Sequence, residues 1–360
     1  GGAVSITDYG ASPSATSAAN VTAIRAAMVQ AVAESKAFYI PSGTYLVNNN
    51  VTFDGNWSGL TVYGDGPSSC IKIGTTLDED DNVEAGWTII LDGASDGALE
   101  NFTLRDLRVD GSRSTLTGFD SLNTTVGVVG YQDSDFHNVQ VENVWAQDYL
   151  QGSGLFTFAA GIRFVDCHSF GNEYHGLAVS RSSDFGDADK FAEVVNLTAH
   201  DNGGYGLDAG RYCRTIVENL NAYWNTEGGM KFSIGTEALI VRGARLAYNL
   251  GPGFQDTDTV GTAIIDLDGI VTHNNGGIGF RLVSGSDVRI GSLHSYDNYC
   301  RTSASRSGNG YTGGSLQGTD ILIGTSTGFI TSFSADSLIS RRSPTAGILL
   351  DGNIRHYTIG

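Results

Sequence analysis

Asn202-Gly203-Gly204-Tyr205-Gly206-Leu207-Asp208 is followed, 23 residues on, by Asn225-Thr226-Glu227-Gly228-Gly229-Met230-Lys231. In both stretches an asparagine stands four residues before a glycine–apolar pair, and the pattern continues in either direction. Asn172, Asn202, Asn225, Asn249, Asn274 and Asn298 are spaced by 30, 23, 24, 25 and 24 residues. The pairs that follow them are Gly176-Leu177, Gly206-Leu207, Gly229-Met230, Gly253-Phe254 and Gly279-Phe280. A period in the twenties with a recurring polar turn residue marks stacked repeats, each too small to bury its apolar face except against a neighbour. The chain therefore reads as a solenoid.

Short alternating runs fill the space between the turns, such as Leu104–Asp110, His137–Val144 and Ala263–Asp268. Period two with β-branched residues indicates strands. Neither a Leu-x-x-Leu-x-Leu consensus nor long amphipathic stretches occur, which excludes leucine-rich and helical repeats. Three short strands per turn of two dozen residues predict an all-β fold, a right-handed parallel β-helix whose asparagines stack as a ladder. Val4–Tyr9 reads as an opening strand. From about Asn20 to Glu34, Val21, Ile24, Met28 and Val32 recur at helical spacing among alanines, predicting an α-helix that caps the open end of the solenoid. Phe38–Val47 gives strand, turn, strand. Residues 1–50 are thus expected to form an N-terminal cap continuous with the solenoid, and 51–360 the parallel β-helix. Two stretches, 182–192 and 302–318, break the period and read as loops, which on a solenoid often flank the binding face.

The 360 residues carry a net charge of −18, with only 4 Lys beside 17 Arg. Such a surface repels phosphate, so nucleic acid is not an expected partner. It suits life in high salt and an ordinary acidic secreted protein equally. No window reaches the apolar length of a membrane span. Cys70, Cys167, Cys213 and Cys300 lie far apart without metal-ligand spacing and read as buried small residues, with one disulfide between neighbouring turns as the alternative. The chain opens Gly1-Gly2 without methionine, as after removal of a leader or a tag. Sequons at Asn20, Asn50, Asn56, Asn101, Asn123 and Asn196 agree with an extracellular, secreted or virion-surface location.

Aligning the coils on their glycines predicts which side chains line up. Leu177, Leu207, Met230, Phe254 and Phe280 should point inward, so the next residues, Ala178, Asp208, Lys231, Gln255 and Arg281, point outward. Coils stack about 4.8 Å apart, which puts Asp208 against Lys231. Three residues further on come Arg181, Arg211, Ile234, Asp258 and Ser284, while His175 and Tyr205 immediately precede their glycines. The result is a polar stripe shaped for a linear polymer. A plain solvated face shows the same alternation, and an Asp–Lys pair on it contributes under about 1 kcal/mol. Asp256 falls at an inward position, so either the register slips there or the carboxylate has a partner.

Ile6-Thr7-Asp8-Tyr9-Gly10-Ala11, the cap helix and Tyr39-Ile40-Pro41-Ser42-Gly43-Thr44-Tyr45 resemble the N-terminal region of pectate-lyase-like β-helix proteins. That group includes polysaccharide lyases, mannuronan C5-epimerases and phage tailspikes. Arg105-Asp106-Leu107-Arg108-Val109-Asp110-Gly111-Ser112-Arg113 is similar to a segment of the epimerases. Gly204-Tyr205-Gly206-Leu207-Asp208 is similar to their Tyr-Gly-Phe-Asp-Pro-His motif. Where that motif ends in Pro-His this chain has Ala209-Gly210, so Tyr205 and Asp208 carry over and the histidine does not. On this resemblance a substitute must come from Lys231, Arg211 or His175.

The resemblance and the stripe together imply a carbohydrate-active protein whose partner is an acidic uronate polysaccharide, with lyase or epimerase-like chemistry. Both begin by removing the proton at C5, which needs a base and a neutralised carboxylate. Arg211 or Arg281 would neutralise, Lys231 or Tyr205 would act as base, and Asp208 would orient them or hold calcium, the one cofactor suggested. Asp208 beside Lys231 favours the protonated amine, which counts against Lys231 as base. His175, Arg181, Gln255, Asp258 and Arg281 are the expected substrate-binding residues. An inverting glycoside hydrolase using Asp208 and Asp258, about 9.6 Å apart along the axis, is one alternative. A non-catalytic adhesin, tailspike or structural subunit is another, and it carries the expectation of a homotrimer or further subunits at the C-terminal end.

Overall fold

The computed structural model describes residues 2–74, 87–115, 125–131, 134–180, 190–210, 214–233, 237–257, 263–298, 319–324, 330–343, 346–350 and 354–359. These form two compact units, Gly1–Gly176 and Leu177–Gly360, and each is built from parallel strands. The fold is the expected right-handed parallel β-helix with an N-terminal helix.

In the unit Gly1–Gly176 the helix Ser17–Ala33 begins at Thr16, whose side chain accepts from the Ala19 N–H. It buries Val21, Ile24 and Met28 as expected, but Val32 is 39% exposed, and the packed face runs instead through Ala23, Ala27 and Ala31. Small residues let the helix lie close against the strand Gly43–Val47. Asn20 fixes that contact: its Nδ2 donates to the Leu46 carbonyl and its Oδ1 accepts from the Ser12 N–H. Only Val4–Ser5 of the opening run is a strand. Ile6–Tyr9 turns into a short 3-10 helix because the Ser5 hydroxyl caps it and Gly10, at φ 96, ends it. Thereafter Phe38–Ile40, Thr61–Gly64, Thr103–Asp110 and Val139–Gln147 pair in parallel, as do Val51–Phe53, Trp87–Leu91, Val126–Gly130 and Leu155–Thr157 on a second sheet. Asn20 and Asn50 are buried, so their sequons are closed to modification in the folded chain. Cys70 and Cys167 are buried free thiols, with burial pushing the Cys167 thiol up to about 12; Cys213 and Cys300 lie outside the described residues.

In the unit Leu177–Gly360 two of the three expected strands of a coil merge from Arg214 onward, while Ala192–Val195 and Thr198–His200 stay separate. Arg214–Tyr223, Ala238–Ala247 and Ile264–His273 are single strands that bend at one left-handed residue, Asn219, Gly243 or Gly269. Glycine and asparagine tolerate that conformation best, so they sit at the bend. The third strand of each coil is short: Leu177–Val179, Tyr205–Ala209, Gly228–Phe232, Phe254–Asp256, Phe280–Leu282 and Thr319–Ile323 pair in that order. Leu207, Met230, Phe254, Phe280 and Ile321 stack in register and are fully buried, and the rings of Phe254 and Phe280 lie 4.7 Å apart at 15°. The loops expected at 182–192 and 302–318 lie outside the described residues except for 190–192, where Ala192 already opens the strand Ala192–Val195.

The asparagine ladder is buried and its amides are fully bonded. Asn225 Nδ2 donates to Asn249 Oδ1 (3.1 Å) and to the Ala199 carbonyl (3.1 Å). Its Oδ1 accepts from the backbone N–H (3.2 Å) and Nδ2 (2.9 Å) of Asn202. Asn249 repeats the pattern with Asn275, and Asn275 with Asn298. The ladder member is thus Asn275, not Asn274. The preceding residue of each coil, Asp201, Trp224, Tyr248, Asn274 or Asp297, has a φ between 54 and 58 and turns the chain. Of two adjacent asparagines, the first took the turn and the second the ladder. Asn298 ends the series by donating to Asp320 (2.6 Å), a buried carboxyl whose pKa is raised by lost hydration. In the other unit Asn172 is likewise buried and accepts from the backbone N–H of Tyr149.

Asn225→Ala removes four amide bonds and leaves buried partners unsatisfied. It should cost about 3 kcal/mol or more by urea unfolding, since each orphaned buried group costs roughly 1–3 kcal/mol. Asn219→Ala, whose amide bond to Asn196 is exposed, should cost only about 1 kcal/mol. Equal losses would remove the ladder from its special role.

Candidate functional site

The predicted outward row exists. Ala178, Asp208, Lys231, Gln255 and Arg281 pair in register across consecutive coils, and Leu322 follows Arg281. Ala178 is buried, so the polar part begins at Asp208. Lys231 Nζ lies 3.1 Å from Asp208 Oδ2, both partly buried, and the Ser233 hydroxyl donates to Asp208 Oδ1 at 3.1 Å. Strand alternation aims all of these side chains away from the core that Leu207, Met230 and Phe254 fill.

Tyr205 opens the strand Tyr205–Ala209 and faces Gly228 in the next coil. A Cβ at Gly228 would meet the Tyr205 ring at 2.6 Å, so only glycine lets the phenol cross that coil. It crosses to donate to Gln255 Oε1 at 2.9 Å, two coils away. The Lys231 ammonium stands 5.6 Å from the same ring, a cation–π contact. Tyr205 is buried and engaged as a donor, which fits a proton source better than the base expected for it.

Asp256 has the partner its inward position demands. Its Oδ2 accepts from the backbone N–H groups of Val283 and Ser284, both at 2.8 Å, and from the Ser284 hydroxyl. Ser284 is therefore buried structure and not part of the surface row. A small hollow lies alongside, lined by Pro252, Gln255, Gly277, Ile278 and Arg281.

Sequence reasoning missed Glu227. It closes the turn just before Gly228, at a place where no strand alternation or motif singles it out. The residue is exposed, yet its carboxyl is held above the usual range, first by lost hydration, with Lys231 opposing the shift and Asp208 adding to it. A raised carboxyl beside a lysine and an aspartate makes Glu227 a candidate acid–base group.

Of the remaining expected residues the structure describes only His175. His175 is half-buried in the unit Gly1–Gly176, beside Tyr174. Arg181, Arg211 and Asp258 lie outside the described residues, and so does the Asp208–Asp258 carboxylate pair expected of a hydrolase, through Asp258. A calcium ion does not fit Asp208, because one of its oxygens faces an ammonium and the other accepts from a hydroxyl. Among the described residues no three His, Cys, Asp or Glu side chains come together as a metal site, and no helix is long and apolar enough to cross a membrane.

A family model described as rhamnogalacturonase A/epimerase, pectate lyase-like, matches residues 3–231. Among solved structures, the A-module of the mannuronan C-5 epimerase AlgE4 of Azotobacter vinelandii is similar over 99% of both chains, with 18% identity and a TM-score of 0.70. The Dettilon tailspike protein is 11% identical, with 98% of this chain and 65% of that one covered and a TM-score of 0.58. The catalytic unit of a GH87 α-1,3-glucanase from Streptomyces thermodiastaticus strain HF3-3 is 15% identical over 99% and 68%, at 0.55. At these identities the likeness is one of fold. A comparison with curated protein sequences finds no match.

A raised carboxyl pKa means that the fold favours the protonated acid. The stability this group contributes is full below its unfolded-state pKa and is lost as pH rises through the folded-state value. Glu227→Gln should therefore match the unsubstituted protein in acid and exceed it in stability as pH approaches neutral. Urea unfolding at both pH values measures the gap. A gap that does not change with pH would show that Glu227 is simply solvated.

Proposed function

The chain belongs to the pectate-lyase-like rhamnogalacturonase A/epimerase family, and from that membership we propose that it removes the C5 proton of uronate residues in an acidic polysaccharide. The observation that carries this reading is the row Asp208–Lys231–Gln255–Arg281, with Tyr205 and Glu227 beside it.

Acidity at C5 depends on neutralising the neighbouring carboxylate. Lys231, held by Asp208, and Arg281, two coils further on, supply fixed positive charge for that purpose. Glu227 serves as the base, because a carboxyl whose pKa is raised binds a proton more strongly than an ordinary one. In the lyase branch Glu227 takes the C5 proton and the electron pair forms the C4=C5 bond as C4–O4 breaks. The leaving oxygen takes the proton of the Tyr205 phenol. In the epimerase branch the same proton goes to the opposite face of C5. Asp208 positions Lys231, Gln255 positions Tyr205, and neither moves a proton. An extracellular or virion-surface location accompanies such substrates, since these polymers lie outside cells.

Both branches share one readout, loss of the C5 protium in deuterium oxide, followed by NMR on alginate, polygalacturonate and rhamnogalacturonan; the epimerase branch replaces it by exchange with solvent deuterium. The lyase branch adds ultraviolet absorbance from unsaturated ends. Glu227→Gln should lower that loss by about 10²-fold or more, and Lys231→Ala by a similar factor. Absence of that loss and of unsaturated ends on every polymer would overturn the reading and leave glycan binding without chemistry. Light scattering would then separate a trimeric spike from a monomer.

A further inference from the structure

A strip of aromatic side chains runs along the unit Leu177–Gly360 where its long strands end. His200, Tyr223, Ala247, His273 and Tyr296 occupy one register position in consecutive coils. The rings of His200 and Tyr223 stack at 4.9 Å and 9°, and those of His273 and Tyr296 at 5.0 Å and 1°. Only Ala247 interrupts the column.

The next residue of each coil turns the chain in the left-handed region. Asp201, Asn274 and Asp297 suit that conformation, since asparagine and aspartate tolerate it best. Trp224, at φ 57, and Tyr248, at φ 58, do not. They are also 43% and 36% exposed, so their rings add little to the core. Two large aromatics therefore occupy strained turn positions in adjacent coils while facing solvent. Strain kept without a folding gain points to function. Both rings are braced edge-on by the column, Trp224 against Tyr223 at 5.2 Å and 80°, and Tyr248 against His273 at 5.2 Å and 83°.

We propose that Trp224 and Tyr248 form a glycan-binding platform, on which successive pyranose rings of a polysaccharide stack their C–H faces. Polar groups interleave with the rings: Asp201 and Asn274 stand in the same column, and Arg245 is exposed beside His273, to which its Nε donates at 3.2 Å. Aspartate is depleted at protein–protein interfaces, whereas a sugar uses such carboxylates and amides to bond its hydroxyls. Trp and Tyr each present an apolar face and a polar tip, which matches a sugar ring with its hydroxyl rim. The platform borders the candidate site through the turn Trp224-Asn225-Thr226-Glu227, so a chain lying on it would lead toward Glu227 and Lys231. It shares with the proposed function only the class of ligand, a polysaccharide.

The test uses the whole protein and measures binding to alginate, polygalacturonate, rhamnogalacturonan and the neutral glucan laminarin. Affinity electrophoresis and quenching of Trp fluorescence are the readouts. Trp224→Asn and Tyr248→Asn remove the rings while giving the turn the residue type its neighbours use, so folding should be retained or improved. Each should weaken binding roughly tenfold, and the pair together about a hundredfold, with at least one polymer. Glu227→Gln should lower C5 proton loss by about 10²-fold while binding persists, which separates the two proposals. Unchanged binding by the double variant, or no binding of any polymer by the unsubstituted protein, would overturn the platform. So would a double variant that binds every polymer normally but loses self-association, since the strip would then be a protein interface.

Discussion

A primary amide buried in a turn must satisfy two donors and two acceptor lone pairs. Asn225 does so with partners in the coils on either side. That requirement controls much of the unit Leu177–Gly360. An amide that reaches one neighbour through Nδ2 and the other through Oδ1 works only if successive asparagines are stacked in register. Fixing that register fixes the strand that follows. Four residues after Asn225 comes Gly229, then Met230 inside and Lys231 outside; the same count after Asn202 gives Leu207 inside and Asp208 outside. A one-residue slip would send the core residue outward and bury the charge. The ion pair between Asp208 and Lys231 is thus a consequence of where two buried amides sit. Every amide in the column also contributes through its neighbours, so the loss of one is felt by two coils.

The sequence exposed most of this because stacking repeats itself. Period, glycine offset and alternation all pointed to one register, and the inward residues Leu207, Met230, Phe254 and Phe280 followed directly. Legibility failed where the repeat offered two equivalent residues, as at Asn274 and Asn275. It failed again where burial depends on small residues, since Ala23, Ala27 and Ala31 outcompeted Val32 for the packed face of the helix. At the site, Asp208, Lys231, Gln255 and Arg281 could be placed because they belong to strands. Glu227 could not, because turn residues obey no alternation. Its significance lies in the charges around it, which the fold assembles from two coils. The reach of Tyr205 to Gln255 was equally hidden, for it depends on the missing side chain of Gly228.

Charge distribution gives the row its chemical meaning. A chain with net charge −18 repels a polyanion at long range, and ionic strength screens that repulsion over about 8–10 Å. Fixed cations at short range are screened less. Lys231 is one of only 4 lysines in the chain, and it is held in a partly buried position between a carboxylate and an aromatic ring. Such a lysine loses little further freedom when it meets an anionic ligand. An acidic surface with a few anchored cations therefore selects for groups that reach the row over those that merely approach the protein.

The pairing of Lys231 with Asp208 also decides its role. A base must give up its proton before it can take another, and an adjacent carboxylate opposes this by stabilising the ammonium. The 3.1 Å contact therefore fits Lys231 as an ion-pair partner and not as a base. Glu227 experiences the opposite balance: lost hydration and Asp208 push its carboxyl up, and Lys231 restrains the shift. One aspartate thus pairs with the lysine while helping to raise the glutamate. A paired lysine beside a carboxyl of raised pKa is the arrangement on which the proposed abstraction next to a carboxylate rests. Gly210 stands where the motif this chain resembles has its histidine, and under the proposed function Glu227 from the next coil would take over the proton transfer that the histidine cannot supply.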